Sequence, residues 1–213
     1  MVISTARRRY GGAEYRLVRC KAVYQTAISM TLDDPDLFHE PAFRFSLRKP
    51  HSWRFMPPAW SPVAHLKNAS DPQVWIHMAQ LPFCCAMQFH DSPRHAYPTV
   101  QVTARPCLAP SPSEAAVLLE QLVALTTAQH PDLVVHHATT HGLIAGYNAN
   151  IVRASFSIPY EVDGEYIPLT VLSRAYVVFG REKAFSIGMP SSADPAYFNE
   201  SEFEAMIRSV RID

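Results

Sequence analysis

The sequence contains little charge and no excess of either sign. Charged residues make up 18% of the 213 residues, and 19 basic side chains balance 19 acidic ones. Because nucleic-acid-binding domains usually carry a basic excess, this balance argues against a general nucleic-acid binder. Apolar residues make up 48%, so the chain is too hydrophobic to belong to the intrinsically disordered class. The length suits one domain, or a domain with an appendage.

Long hydrophobic runs are also missing. No apolar stretch approaches the roughly 18 residues that a membrane-spanning helix needs. The three arginines at 7–9 are followed by glycines and charged residues, and not by the hydrophobic core of a secretory signal. We therefore expect no membrane span and a cytoplasmic location. An organellar transit peptide is the alternative interpretation of the basic start.

Glycine is scarce, with 7 residues against 18 prolines. The sequence contains no glycine-rich phosphate-binding loop and no GxSxG nucleophile motif. The cysteines Cys20, Cys84, Cys85 and Cys107 have neither the spacing of a zinc knuckle nor that of a disulfide framework. We interpret them as free thiols, which suit a reducing compartment. These absences argue against nucleotide chemistry and against a bound cofactor.

Alternation of apolar and polar residues predicts a protein rich in β-strands. In residues 43–47, for example, apolar residues alternate with arginine and serine, as in a strand with one face in the core. Similar patterns predict strands at 17–32, 74–78, 99–105, 133–138, 150–162, 167–179 and 184–189. Asp163-Gly164 is a hairpin signal between two of these strands. Residues 82–98, which contain several prolines, are predicted to form a loop.

The clearest helix begins after Ser111. Pro112 occupies the first helical position and Glu114 completes a capping-box pattern, which predicts a helix that ends near Gln129. One apolar stripe at helical spacing, typical of a helix that packs on a core, comprises Ala115, Leu118, Leu119, Leu122 and Leu125.

A second helix is predicted at the end of the chain. Asn199 is its expected N-cap, Glu202 follows three residues later, and Phe198 is placed to contact Phe203. The order of strands, helix, antiparallel strands and helix predicts an α+β fold. We expect a single antiparallel sheet of about six to eight strands flanked by helices.

Histidines offer the main candidates for metal chemistry. In a helix, His137 and His141 would share a face as zinc ligands do, with His136 beside them. In the predicted strand they would lie about 13 Å apart, which is too far for one metal ion. We therefore expect no metal site, and these three residues are the candidates if one exists.

The loop histidines His51, His90 and His95 support an alternative hypothesis, a small hydrolase or metal-binding protein. A hydrolase would need Ser92, Cys84 or Cys85 as its nucleophile, and no protease signature surrounds either cysteine. We therefore favour a protein that is not an enzyme.

Three stretches resemble PsbP-like proteins. Residues 43–53 (FRFSLRKPHSW) resemble the strand, proline and tryptophan that open these domains. Residues 173–189 resemble their final hairpin, and residues 202–212 resemble their closing helix. The fold occurs in the extrinsic photosystem II protein, a Ran-binding transport factor, bacterial lipoproteins and adaptor chaperones of type VI secretion. The resemblance implies an α/β/α sandwich that is used for binding and not for catalysis.

The resemblance also implies a domain organisation. Residues 41–213 would form one PsbP-like domain with a proline- and aromatic-rich insert at 54–98, and residues 1–40 would form an N-terminal extension that includes a strand. Prolines hold aromatic and methionine side chains of the insert in loops, which suits an adaptable apolar binding surface. The candidate binding residues are Trp53, Phe55, Trp60, Trp75, Phe83, Met87 and Phe89.

These observations predict a binding module, and not an enzyme, with an adaptor or chaperone-like role. We expect it to recognise a protein partner or an apolar ligand, as a monomer or as a homodimer. A structural subunit of a larger assembly is a further alternative.

Overall fold

The strands form three antiparallel sheets within the described part of the chain. The computed structural model describes residues 7–10, 13–16, 34–56, 82–92, 94–162 and 165–213. The smallest sheet pairs β1 (Arg7–Tyr10) with β2 (Ala13–Arg16). A three-stranded sheet comprises β3 (Leu37–Glu40), β4 (Phe45–Arg48) and β12 (Arg211–Ile212), with β4 in the centre.

The main sheet has seven strands among the described residues. In chain order they are β5 (Arg54–Phe55), β6 (Cys84–Met87), β7 (Thr99–Pro106), β8 (Val134–Ile144), β9 (Tyr147–Val162), β10 (Glu165–Phe179) and β11 (Lys183–Ser192). Their spatial order is β5-β6-β7-β11-β10-β9-β8. The long hairpins β8–β9, β9–β10 and β10–β11 therefore build one half of the sheet from consecutive strands.

The β9–β10 hairpin extends beyond its neighbours. β8 pairs with β9 only as far as Ser155, and β11 pairs with β10 from Val171 onward. The ends of β9 and β10 therefore form a two-stranded ribbon, on which the side chain of Tyr166 is 74% exposed.

Helix α1 (Pro112–Gln129) begins and ends where the sequence predicts. The capping box is present, because the Ser111 hydroxyl accepts the Glu114 amide at 3.3 Å and the Glu114 carboxylate accepts the Ser111 amide at 2.8 Å. The Ser111 amide and the Ser111 hydroxyl both donate to the Glu114 carboxylate and hold the pKa of Glu114 below its usual value. No helix in the described residues is long and apolar enough to cross a membrane.

Helix α2 (Glu200–Ser209) and the three-stranded sheet cover one face of the main sheet. Phe45 of β4 is fully buried, and its ring stacks on Phe185 of β11 with centroids 5.4 Å apart. Phe203 and Met206 of α2 are buried in the same core. Burial of each such side chain contributes roughly 1.5–3 kcal/mol. This closed face holds the main hydrophobic core.

The predicted single sheet is wrong, although the α+β class is confirmed. β4 does not join the main sheet, because it pairs with β3 on one side and with the C-terminal strand β12 on the other. With Phe45 and Leu47 fully buried, this small sheet is part of a second layer. Apart from α1 and α2, the described residues form mostly β-sheet.

Two local predictions also differ from the structure. The predicted loop 82–98 contains β6, whose Cys84 and Ala86 point into the core. Glu202 does not close a capping box, because its carboxylate accepts the Trp53 indole N–H at 2.8 Å. The predicted strands at 17–32 and 74–78 lie outside the described residues, and the division at residue 40 stays a prediction.

Candidate functional site

The second face of the main sheet is covered over only part of its width. Helix α1 packs on the edge strand β8. The side-chain amide of the buried Asn150 on β9 donates to the Ala115 carbonyl at 2.8 Å and anchors the first turn of the helix. The helix therefore lies over one edge of the sheet, and β10, β11 and β7 have no helix above them in the described residues.

Small side chains form this uncovered part of the face. Val177 lies opposite Asn150 in the β9–β10 ladder, so it points to the same side as α1. Half-buried small residues in register on the same side are Thr103, Ser173, Ala175, Ser186 and Gly188, and the exposed Gln101 and Arg105 of β7 also lie on this side. A Cβ atom built on Gly188 would meet no atom within 4 Å. The space above this part of the sheet is therefore open among the described atoms.

One flank of α1 presents apolar side chains to solvent. Leu118 and Leu125 lie seven residues apart on one side of the helix, and Leu125 is 66% exposed. The predicted stripe is therefore only partly buried: Ala115 is buried, whereas Leu118 and Leu125 are exposed. The expectation that the whole stripe packs on a core is wrong, because α1 sits at the sheet edge and its apolar flank extends past the strands below it.

The exposed flank faces the uncovered strands. The Cys107 amide donates to the Glu182 carbonyl at 3.0 Å, which holds residues 107–110 beside the β10–β11 turn. The same residues form a groove with Val117, Leu118 and Gln121 of α1. Leu108 in this segment is 81% exposed. The flank of α1 that carries Leu118 therefore points toward β10 and β11 and away from the free edge of β8.

These elements form a feature that we call the α1 trough. Its wall consists of Leu108, Val117, Leu118 and Leu125, and its floor consists of Ala175, Val177, Ser186 and Gly188. The three uncovered strands span about 10–14 Å, which matches the roughly 10–12 Å diameter of an α-helix. α1 carries only two charged residues, Glu114 and Glu120, and Glu114 is engaged in the capping box. The width of the trough therefore matches that of a helix, and its wall is apolar.

Comparison with known proteins shows likeness in three-dimensional structure only. No family model matches the chain, and no curated protein matches it significantly. Cyanobacterial PsbP (CyanoP) from Synechocystis is 10% identical, covers 86% of this chain and 96% of its own, and has a TM-score of 0.47. LpqN, involved in cell envelope biogenesis of Mycobacterium tuberculosis, is 15% identical, covers 79% and 82%, and has a TM-score of 0.45.

A protein from Bacteroides thetaiotaomicron is also similar, with 11% identity, coverage of 84% of this chain and 48% of its own, and a TM-score of 0.40. All three structures have TM-scores below 0.5 and identities of 15% or less.

The predicted aromatic surface is only partly exposed. Trp53 is buried, and Phe55 and Phe83 pack against the buried Phe38, with ring centroids 5.8 and 6.1 Å from its ring. Met87 is half-buried, and Phe89 is 45% exposed. Trp60 and Trp75 lie outside the described residues. The use of this set as a binding surface stays a prediction, and Phe89 is its most exposed described member.

The candidate metal-binding histidines lie on the edge strand β8. His136 and Ser155 share a hydrogen bond of 2.8 Å between Nε2 and Oγ, and His137 and His141 are exposed. Within the described ranges, no three histidine, cysteine or carboxylate side chains are close enough together to hold a metal ion. The structure therefore places these histidines on a strand without gathering them into a cluster.

The candidate nucleophiles are in environments that suppress their reactivity. Burial raises the pKa of Cys84 well above its usual value and raises that of Cys85 to about 11, so both thiols are protonated at neutral pH. Ser92 donates its backbone amide to Nδ1 of His90 at 3.3 Å. This contact belongs to a local turn and does not orient the Ser92 hydroxyl.

The structure reveals a serine–histidine contact that the sequence did not suggest. His95 Nδ1 lies 3.0 Å from the Ser192 hydroxyl, and the His95 ring stacks on Tyr197 with centroids 3.7 Å apart. Ser192 is buried, and its hydroxyl also accepts the Asp194 amide at 3.1 Å. The contact therefore connects the loop that contains His95 to the end of β11. The two residues are 97 positions apart, which explains why no local signal marked them.

A buried arginine was also missed. Arg174 of β10 is enclosed in the core and forms a two-pronged ion pair with Glu200 at the start of α2. The rings of Phe198 and Phe203 lie 5.0 and 4.4 Å from its guanidinium. The Arg174 guanidinium thus fixes α2 against the closed face.

Proposed function

We propose that this protein is a non-enzymatic binding module that holds an apolar helical segment of a protein partner in the α1 trough. The observation that carries the proposal is the combination of a floor of small side chains with an exposed apolar helix flank beside it. Helix α1 is nearly uncharged, and a helix that is apolar on nearly all sides is normally buried against other elements. An adaptor or chaperone-like role agrees with such a surface.

The floor supports a helix as the bound segment. Ala175, Ser186 and Gly188 are small, so they would let a helix backbone approach the sheet closely. Leu118 and Leu125 would then pack along the side of the bound helix. Since transfer of apolar surface out of water yields about 25 cal/mol per Å², contact with these leucines would provide the main driving force. Shape and apolar contact, and not charge, would select the partner, in keeping with the neutral chain.

The chemistry of the remaining candidates supports binding over catalysis. The thiols of Cys84 and Cys85 have raised pKa values, and the hydroxyl of Ser192 is buried in a turn. The free thiols at Cys84, Cys85 and Cys107 fit a reducing compartment. We therefore propose that the module works in the cytoplasm. Phe89 and Met87 would extend the partner surface beyond the trough.

The proposal can be tested with a synthetic leucine-rich helical peptide of about 18 residues, roughly 27 Å long. Fluorescence anisotropy of the labelled peptide should report saturable binding to the full chain. Leu125→Glu should weaken binding at least tenfold, because it places a charge in the wall of the trough. Tyr166→Glu is the matched control, because Tyr166 is similarly exposed but lies on the β9–β10 ribbon and not in the trough.

A second variant fills the floor. Gly188→Val should leave folding intact, because its Cβ meets open space, and should reduce peptide binding by steric exclusion. Equal binding by the wild-type chain, Leu125→Glu and Gly188→Val would refute the trough as the site. No binding at peptide concentrations up to about 100 µM would refute the preference for apolar helices.

A further inference from the structure

The free edge of the main sheet is a second unexplained feature. β8 ends the sheet, and among the described residues it pairs with β9 alone. At the opposite edge, β5 has only two residues, one of which is Arg54. Natural sheets usually blunt their edges with short strands, charged residues or bulges. β5 follows this rule through its length and charge. β8 has two bulges in its ladder with β9, but it has 11 residues and none of them is Asp, Glu, Lys or Arg.

The sequence of β8 is close to a mirror pattern about Thr139, and His136 and Gly142 are the pair that departs from it. Apolar residues occupy both ends of the strand, histidines follow toward the centre, and small residues occupy the middle. Two copies that run antiparallel with Thr139 at the centre would place in opposition Val135 and Leu143, His137 and His141, Ala138 and Thr140, and Thr139 and Thr139. Each of these four pairs joins residues of similar kind, whereas His136 would face Gly142. In a two-fold interface residue i meets j and j meets i, so each unlike pair occurs twice.

We propose that a second copy of this chain pairs with the free edge of β8 in this register, which joins the two main sheets into one. The backbone N–H and C=O groups on the free side of β8 would gain hydrogen-bond partners from the second copy. The Thr139 side chains would meet at the two-fold axis, as cross-strand threonine pairs do in antiparallel sheets. Because the strand has no formal charge, the two-fold axis brings no like charges together.

The size of this edge suits a stable dimer. Eleven residues at about 3.4 Å each give a strand of about 37 Å. With a depth of roughly 20 Å for the strand and the helix above it, the contact covers about 700 Å² per protomer, close to the roughly 800 Å² of a standard interface. The β8 ladder is bulged between Val135 and His137 and between Thr139 and Gly142. These bulges twist the edge, and the dimer would have to accommodate them.

The dimer and the α1 trough use different surfaces. Leu118 and Leu125 face β10 and β11, whereas the dimer uses the opposite side of β8. The dimer would therefore form whether or not the trough binds a partner, and its failure would leave the proposed function untouched.

The register can be tested by charge substitution with light scattering as the readout. The wild-type chain should have twice the protomer mass of 23.9 kDa. Val135→Lys and Leu143→Lys should each weaken the dimer at least tenfold, because each places a charge opposite an apolar side chain. The double variant Val135→Glu with Leu143→Lys should restore it, because glutamate and lysine then face each other across the axis in both pairs. Tyr166→Lys, at 74% exposure against 72% for Leu143, is the control and should remain dimeric.

Cysteine cross-linking measures the register independently of stability. In a chain whose Cys20, Cys85 and Cys107 are replaced by serine, Thr139→Cys should form an intermolecular disulfide under mild oxidation, because directly opposed Cα atoms lie about 4.5–5.5 Å apart. Val134→Cys should not, because its symmetry mate would lie about 34 Å away.

Three results would overturn the proposal. They are a monomer at all concentrations up to about 100 µM, a dimer that Leu143→Lys leaves unchanged, and cross-linking of Val134→Cys as fast as that of Thr139→Cys.

Discussion

The two faces of the main sheet are built from the same strands but differ in what covers them. On the closed face, Phe185 and Met189 of β11 are buried beneath α2 and the three-stranded sheet. On the open face, the alternate residues of the same strand, Ser186 and Gly188, are small and only half-buried. The alternation of large and small residues along β11 therefore separates a face that stabilises the fold from the face on which we propose that a partner binds.

The helices show the same contrast. In α2, Phe203 and Met206 are buried, and Arg174 reaches from the sheet to Glu200 to fix the start of the helix. In α1, Ala115 is the buried residue, while Leu118 and Leu125 remain exposed. A nearly uncharged helix that is only half-covered is the reason why we propose that another molecule completes the open face.

The largest expected effect is on the closed face. Phe185→Ala should lower the free energy of unfolding by about 3–5 kcal/mol, because it leaves a cavity beneath Phe45. Val177→Ala on the open face should cost about 1 kcal/mol or less. Urea denaturation of both variants checks the difference. Similar losses for the two variants would show that the open face is also packed.

The second prediction concerns the arginines around Glu200. Arg174→Ala should cost about 3 kcal/mol, because it removes the buried partner of the Glu200 carboxylate. Arg153 lies 3.5 Å from the same carboxylate but is partly exposed, so Arg153→Ala should cost about 0–1 kcal/mol. Thermal and urea unfolding of the pair measure both losses. Equal costs would contradict the role of Arg174 as the anchor of α2.

The third prediction is a dependence of stability on pH. The hydrogen bond from Lys49 holds the pKa of Asp36 below its usual value of 3.8, and His51 lowers it further. Because the folded-state pKa is depressed, this stabilisation is present above about pH 4 and is lost as the pH falls through the folded pKa. Unfolding measured from pH 6 to pH 2 should show a smaller acid loss in Asp36→Asn. An identical pH profile for both chains would refute this linkage.

The smallest expected effect is at Gly188. Gly188→Val should change the free energy of unfolding by about 1 kcal/mol or less, and in the stabilising direction, because valine favours strands and its side chain enters open space. Chemical denaturation checks the value. A loss of several kcal/mol would mean that the floor of the trough is already filled in the free protein.

Local signals predicted the elements well, because they depend on nearby residues. Ser111 and Glu114 fixed the start of α1, and the Asp163-Gly164 signal lies between strands that do pair across it, Val162 opposite Glu165. The strand β6 was missed because its four residues stand between prolines in an otherwise irregular sequence. A strand of only four residues has too few alternating apolar and polar positions to be recognised from the sequence.

Contacts between distant residues were not predictable from these patterns. The pairing of Arg211 with Ser46 places β12 beside β4, and no local pattern joins positions so far apart. Periodicity showed that α1 has an apolar stripe, but it could not show whether the stripe is covered. For the same reason the aromatic residues of the insert suggested a binding surface, although Trp53 lies in the core.

The most direct test of the central claim is an NMR titration of the isotopically labelled chain with the leucine-rich helical peptide. We predict that the largest chemical-shift changes fall on the trough, at Leu118, Leu125, Ala175 and Gly188, with little change on the β9–β10 ribbon. Changes that centre on Phe89 and Met87, or that spread evenly over the surface, would contradict the assignment of the open face as the binding surface.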